Sequence, residues 1–133
     1  VYGSEKDAAL AASASKNLWG VFCHDCKITD YVDGIDSFSV GGFSFGVMKT
    51  PGHTPGGVCY FIDDIMFSGD TLFKECIGRI DLPGGDYREM MDSLSKIALI
   101  DKNYKVYAGH EEDTDLFHEF RFNPYLSAFK RSK

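Results

Sequence analysis

Residues 50–57 read TPGHTPGG and separate two different strand patterns, so this stretch is the strongest indication of the fold. Its prolines and glycines are typical of a rigid turn with one imidazole at its centre. Before it, residues 38–47 alternate around Gly41-Gly42, as in a β-hairpin. After it, residues 57–62 and 65–68 are near-continuous apolar runs, which predict central strands covered on both faces.

The same strand patterns predict a core that lies between helix layers. The side chains expected in it are Phe38, Phe45, Val58, Tyr60, Ile62, Ile65 and Phe67.

Helical patterns flank the strands. An Ala-rich helix capped by Ser4 is expected to last about three turns, to Ala14, and Asn17–Thr29 is expected to be mainly loop. Asp86–Ile100 has an apolar stripe at helical spacing behind an aspartate cap. Lys105–Ala108 predicts a further strand, and Thr114–Phe129 a helical tail that breaks near Asn123-Pro124. This order favours an α/β layered fold.

Composition limits the classes of function. The 133 residues, of 14.8 kDa, fit one domain, and 44% hydrophobic residues can supply its core. A net charge of -6 is the wrong sign for binding phosphates, so nucleic acid is an unexpected partner. No apolar run approaches the roughly 20 residues that span a bilayer, and four cysteines beside a normal core favour a reducing, cytoplasmic location.

Three separate strand ends deliver chemically useful side chains. His53 lies between two strand patterns, Asp70 directly follows residues 65–68, and His110 follows the short strand at 105–108. Strand ends can converge at one edge of a sheet, and imidazole and carboxylate groups are zinc ligands. Taken alone, His53 favours an ordinary loop position, and the alternatives for Asp70 and His110 are an Asx turn and a solvent-facing loop.

Cys23-His24-Asp25-Cys26 is a competing metal candidate, because two cysteines two residues apart can hold one ion. A structural zinc site needs four ligands, however, and the sequence has no second Cys/His pair of similar spacing. An ordinary loop with two thiols is the favoured interpretation.

Together these motifs resemble the metallo-β-lactamase superfamily, and specifically its glyoxalase II-like (hydroxyacylglutathione hydrolase-like) branch. Residues 50–57 are similar to the second histidine motif of that family, 68–73 to its bridging aspartate motif, and Gly109-His110 to its last histidine. Residues 78–86 and the tail around 123–126 also match small members of the branch. The resemblance implies a four-layer αββα sandwich.

The sequence departs from the family pattern at one place. The first metal motif of the family, His-x-His-x-Asp-His, is absent, since none of the four histidines has that spacing. The resemblance therefore implies that residues 1–133 form a single partial domain, incomplete at the N-terminus and inactive or impaired alone.

Carried over by motif, His53 would be a ligand of the first metal, Asp70 the catalytic carboxylate that bridges two metals, and His110 a ligand of the second. The resemblance implies one or two zinc ions, with iron or manganese as alternatives, bound weakly because ligands are missing. Arg79 is the approximate counterpart of a substrate-binding lysine, and Asp81 stands where the branch has a tyrosine. Specificity for glutathione is therefore left open.

Three hypotheses follow. The leading one is a metal-dependent hydrolase of thioester or related small acyl substrates. The alternative is a non-catalytic remnant or interaction module that forms a homo-oligomer through an exposed sheet edge. The third is a small metal-binding protein that uses Cys23, His24 and Cys26.

Overall fold

The structure, a computed structural model, describes residues 1–13, 26–109 and 111–131. Its strands are β1 (Tyr2–Gly3), β2 (Asp30–Tyr31), β3 (Ser37–Val40), β4 (Phe43–Lys49), β5 (Val58–Ile62), β6 (Ile65–Gly69), β7 (Leu72–Phe73), β8 (Cys76–Ile77), β9 (Lys105–Ala108) and β10 (Thr114–Asp115). Its α-helices are α1 (Ala8–Ala12), α2 (Tyr87–Ala98), α3 (Leu116–Phe122) and α4 (Pro124–Arg131), and a 3-10 turn covers Glu5–Asp7.

Six strands form the main sheet in the order β10-β9-β6-β5-β4-β3. Its pairs are antiparallel except β6 and β9, which are parallel because the chain crosses over through α2 between them. Two small sheets accompany it: β1 pairs with β2, and β7 with β8. β3 and β10 are the outer strands of the described sheet, and self-association through a sheet edge stays a prediction.

The predicted helices and strands are largely confirmed. The Asp86 carboxylate caps α2 by accepting the Glu89 N–H at 2.9 Å, and Asn123 separates α3 from α4 as expected. At the N-terminus, Ser4 caps the 3-10 turn, and the described helical residues end at Ala12. The pairing of β1 with β2 is a feature that the sequence did not suggest. Most of the expected loop at 17–29 lies outside the described residues.

The core lies on one face of the sheet, and this corrects the predicted core. The register places Phe61, Met66 and Val106 on the face covered by α2, α3 and α4, where Met66 and Val106 are fully buried. The buried cluster consists of Cys59, Met66, Leu72, Met90, Leu94, Ile97, Ala98, Val106, Leu116 and Leu126.

The aromatic side chains expected in the core lie on the opposite face. Tyr60, Phe67 and Tyr107 are register partners there, and Phe67 is 39% exposed. The Tyr2 ring stacks on Phe38 with 4.3 Å between ring centroids, so the β1–β2 pair covers part of this face. The prediction was wrong because an apolar run contains both faces of a strand and does not tell which one the helices cover.

Candidate functional site

The loop of residues 50–57 holds His53 between β4 and β5, as predicted. The Thr50 N–H donates to the Gly57 carbonyl at 2.8 Å and closes the loop. Gly52 has φ of +144°, and a Cβ there would lie 2.5 Å from the Met90 Cα on α2. Only glycine fits this position, so the loop is locked against the helix layer.

The backbone of Arg79 orients the His53 ring. Nδ1 of His53 lies 2.8 Å from the carbonyl oxygen of Arg79. Because a carbonyl can only accept, Nδ1 carries the proton, and Nε2 points away with its lone pair available in the neutral ring. Metal-binding histidines use this arrangement to fix the tautomer.

Asp70 meets His53 at the end of β6. The Asp70 Oδ2 lies 3.5 Å from the His53 Nε2, and the two side chains are 37% and 23% exposed respectively. The pKa of His53 is raised, chiefly by hydrogen bonding to Asp70, although burial of the ring opposes the shift. The structure thus brings together two of the three predicted metal ligands.

The third predicted ligand, His110, lies outside the described residues, as do Cys23 and His24 of the competing candidate. Gly109 is described: its N–H donates to the Gly69 carbonyl at 2.7 Å, and a Cβ on it would lie 2.7 Å from Asp70 Oδ1. Within residues 1–13, 26–109 and 111–131, no group of three His, Cys, Asp or Glu side chains is placed to hold a metal. The roles of His53, Asp70 and His110 as metal ligands stay predictions.

The residues present nevertheless fit a metal ion. Imidazole nitrogen and carboxylate oxygen together suit zinc, iron and manganese. His53 Nε2 and Asp70 Oδ2 supply one of each, and both border a cavity of about 300 Å³. Tyr60 also lines this cavity, and its buried hydroxyl has no hydrogen-bond partner among the described residues.

Two sets of hydrogen bonds that the sequence did not indicate support the site. The buried hydroxyls of Thr50 and Thr71 lie 3.1 Å apart and join the His53 loop to the residue after Asp70. Asp7 accepts the Thr54 hydroxyl at 2.6 Å and the Gly56 N–H at 2.8 Å. In the sequence, Asp7 appears only as an acidic residue near a helix N-terminus. Its partners Thr54 and Gly56 lie 47 and 49 residues away, and no local pattern indicates these contacts.

Arg79, the predicted substrate-binding residue, is engaged by its neighbour. Its Nε and Nη2 donate to the two Asp81 oxygens at 2.7 and 2.8 Å, and both side chains are more than half exposed. The Arg79 guanidinium holds the pKa of Asp81 at about 2. The Arg79 side chain is thus paired with Asp81, whereas its backbone carbonyl contacts His53. A role of Arg79 in substrate binding stays a prediction.

Cys59, under the His53 loop, is expected to resist alkylation in the folded protein. Burial raises the pKa of its thiol to about 11, so at pH 8 its thiolate fraction lies far below that of an ordinary cysteine. Cys26 and Cys76 are exposed free thiols. Peptide mapping after iodoacetamide treatment should find Cys26 and Cys76 modified in the native protein and Cys59 modified only in denaturant. Labelling of Cys59 at the rate of Cys76 would contradict the buried placement.

The chain is similar to known proteins over most of its length. The sequence model of the metallo-beta-lactamase superfamily matches residues 23–110, a range that includes both His53 and Asp70. A probable metallo-hydrolase of Streptococcus pyogenes is 36% identical over 136 residues, covering 95% of this chain and 59% of its own length.

The chain belongs to the metallo-beta-lactamase superfamily.

Two solved structures support the same fold, and a further relative is similar in sequence. The B3 metallo-beta-lactamase BLEG-1 superposes with a TM-score of 0.85 at 32% identity, covering 96% of this chain and 65% of that one. TTHA1623, solved in a di-iron-bound form, gives 0.81 at 31% identity, with 95% and 64% covered. The hydroxyacylglutathione hydrolase GloC of Haemophilus influenzae is 37% identical over 90 residues, 65% of this chain and 42% of its own. The metallo-β-lactamase type of α/β sandwich is thus confirmed.

This chain spans about six tenths of the length of the Streptococcus relative and of the two solved structures. Among the described residues, none of the helices has the length and apolar character of a transmembrane span.

Proposed function

We propose that the protein is a metal-dependent hydrolase in which His53, Asp70 and His110 bind the metal. The observation that carries the proposal is the pairing of His53 Nε2 with Asp70 Oδ2 at 3.5 Å, with His53 Nδ1 fixed by the Arg79 carbonyl. A histidine whose Nδ1 is held in this way has a fixed tautomer and a fixed ring orientation, so its Nε2 is placed to bind a metal. The superfamily match over residues 23–110 supports the same assignment.

A metal ion bound there would supply a water of lowered pKa and polarisation of a substrate carbonyl. Zinc is the first candidate, and iron or manganese would suit the same nitrogen and oxygen donors. The task of the chain is to hold these donors still. The locked loop fixes His53, the end of β6 fixes Asp70, and the cavity of about 300 Å³ beside them gives room for a small substrate.

The substrate class that we propose is a thioester or a related small acyl compound, as in the glyoxalase II-like branch. The similarity to GloC supports this class. An anionic substrate group would compete with Asp81 for the Arg79 guanidinium, which is exposed at the surface. Free thiols at Cys26, Cys59 and Cys76 accord with a reducing, cytoplasmic location.

Metal titration tests the proposal. The purified protein is expected to bind Zn²⁺ in isothermal titration calorimetry. Asp70→Asn and His53→Ala should each weaken binding by more than about tenfold, because losing a residue that only orients a metal ligand already costs about that much. Asp92→Asn, the same substitution on the exposed side of α2, is the matched control and should bind like wild type.

Hydrolysis of an acyl-thioester by the metal-loaded protein, followed by release of the free thiol, tests the substrate class separately. The metal-binding proposal fails if none of Zn²⁺, Fe²⁺ and Mn²⁺ binds, or if Asp70→Asn binds as tightly as Asp92→Asn. The substrate proposal fails if metal binds and no thioester is cleaved.

A further inference from the structure

A carboxylate is buried on α3, away from the metal-ligand pair. Glu119 is fully buried. Its Oε1 accepts the Glu75 N–H at 2.7 Å, and its Oε2 accepts the Thr114 hydroxyl at 2.6 Å. Burying a carboxylate is costly unless hydrogen-bond donors surround it. The donors around Glu119 therefore form a network that stabilises the buried carboxylate.

Asn123, at the junction of α3 and α4, completes this network and is also fully buried. Its Nδ2 donates to Glu119 Oε1 at 2.9 Å and to the Cys76 carbonyl at 3.0 Å, and lies 3.5 Å from the Phe73 carbonyl. Its Oδ1 accepts the Tyr125 N–H at 3.0 Å and so caps α4. One amide thus joins the helix junction to both strands of the β7–β8 hairpin.

The β7–β8 hairpin connects the two halves of the candidate site. Asp70 and Thr71 lead into it, Gly78 and Arg79 lead out, and the Gly78 N–H donates to the Thr71 carbonyl at 3.2 Å. Asp70 is a proposed ligand, and the Arg79 carbonyl orients His53. A shift of the hairpin would therefore move both Asp70 and the Arg79 carbonyl that orients His53.

The hairpin turn needs external support. Glu75, within it, has φ of +58°, the left-handed region that non-glycine residues rarely adopt. Its N–H points inward to Glu119. Such backbone persists only where surrounding contacts hold it in place.

We propose that Glu119 and Asn123 are positioning residues that clamp the β7–β8 hairpin and so set Asp70 and the Arg79 carbonyl for metal binding. The inference rests on the proposed metal-dependent function and adds to it a network on α3 and α4. An apolar pair of similar volume could fill the same space, but it could not hold the three backbone groups of residues 73, 75 and 76.

Asn123→Asp tests the clamp with little change of shape. The aspartate keeps an oxygen for the Tyr125 N–H, but it loses the amide donor and sets a carboxylate against Glu119 and two carbonyls. Zn²⁺ affinity by calorimetry should fall about 10–100-fold, the range for groups that orient metal ligands. Amide hydrogen exchange measured by NMR on the metal-free protein should speed up at Glu75 and Gly78.

Two variants serve as controls. Asn103→Asp makes the same change beside the first turn of α3, where Asn103 accepts the Phe117 N–H at 2.9 Å, and should leave affinity and hairpin exchange unchanged. Glu119→Gln keeps an acceptor for the Glu75 N–H, and its amide can donate to the Thr114 hydroxyl, so it should bind Zn²⁺ within about threefold of wild type.

The outcomes separate the two proposals. If wild type binds no metal, the proposed function fails, and the clamp is still judged by exchange at Glu75 and Gly78. Unchanged exchange in Asn123→Asp, or accelerated exchange with wild-type Zn²⁺ affinity, overturns the clamp. If Asn123→Asp does not fold, Thr114→Val removes one donor to Glu119 and should weaken Zn²⁺ binding by about fivefold, the effect of one hydrogen bond. Binding by Thr114→Val as tight as that by Glu119→Gln overturns the proposal.

Discussion

Replacing Gly78 with alanine is expected to destabilise the protein by more than about 3 kcal/mol, beyond the usual cost of overpacking a core. A Cβ on Gly78 would overlap the Asp70 carbonyl oxygen and lie 3.2 Å from the His53 Cβ. The first contact is with backbone at the end of β6, so no side-chain rotation can relieve it. The chain must shift between Asp70 and Gly78, and the free energy of unfolding from urea titration, followed by far-UV circular dichroism, measures the cost.

Gly46→Ala is the matched control for this substitution. Gly46 lies within β4, and a Cβ there would meet the Phe61 Cβ at 3.6 Å and the Phe61 carbonyl oxygen at 3.9 Å, both ordinary contacts. We expect its free energy of unfolding to stay within about 1 kcal/mol of wild type, the range for substitutions without a steric conflict. Equal unfolding midpoints for Gly46→Ala and Gly78→Ala would contradict the close approach of Gly78 to Asp70.

The positions of His53 and Asp70 could be predicted from the sequence because local signals place them. Proline and glycine bound the loop at 50–57, and an apolar run ends directly before Asp70. Both signals act over a few residues, where backbone restrictions determine the structure. That strands β5 and β6 are neighbours also follows locally, from the tight connection at residues 63–64.

The contacts that support the site could not be predicted in the same way. Asn123 contacts Cys76, 47 residues away, and Asp7 contacts Gly56, 49 residues away. In the sequence, Asn123-Pro124 indicates only a helix break, and Asp7 only a helix start. Side-chain hydrogen bonds over such distances depend on how the layers pack, and a single sequence carries no local signal for that packing.

The choice of buried face on the central strands was the main error of the sequence interpretation. β6 carries apolar side chains on both faces, so its composition fits burial of either one. Pairing with Phe61 and Val106 places Met66 beneath the helices, whereas Phe67 pairs with Tyr60 and Tyr107 on the other face. Tertiary packing determines which face of β6 is buried. Substitutions of the adjacent residues Met66 and Phe67 can test which face that is.

Met66→Ala is expected to destabilise the protein by about 2–5 kcal/mol, the range for emptying a fully buried methionine site. Phe67→Ala removes a larger side chain, but Phe67 is 39% exposed and contacts the Tyr107 ring at 6.1 Å between centroids. Much of its apolar surface already faces water, so its loss should cost about 1 kcal/mol, near the centre of ordinary substitutions. Urea unfolding of both variants at the same protein concentration gives the comparison.

The order of the two effects is the informative result, because side-chain volume alone predicts the reverse order. Repeating the titrations at tenfold higher protein concentration supplies the control, since a stability that depends on concentration reveals association between copies of the chain. If Phe67→Ala costs as much as Met66→Ala at both concentrations, the exposed placement of Phe67 is wrong. If the cost of Phe67→Ala rises only at the higher concentration, copies of the chain bury that face against one another.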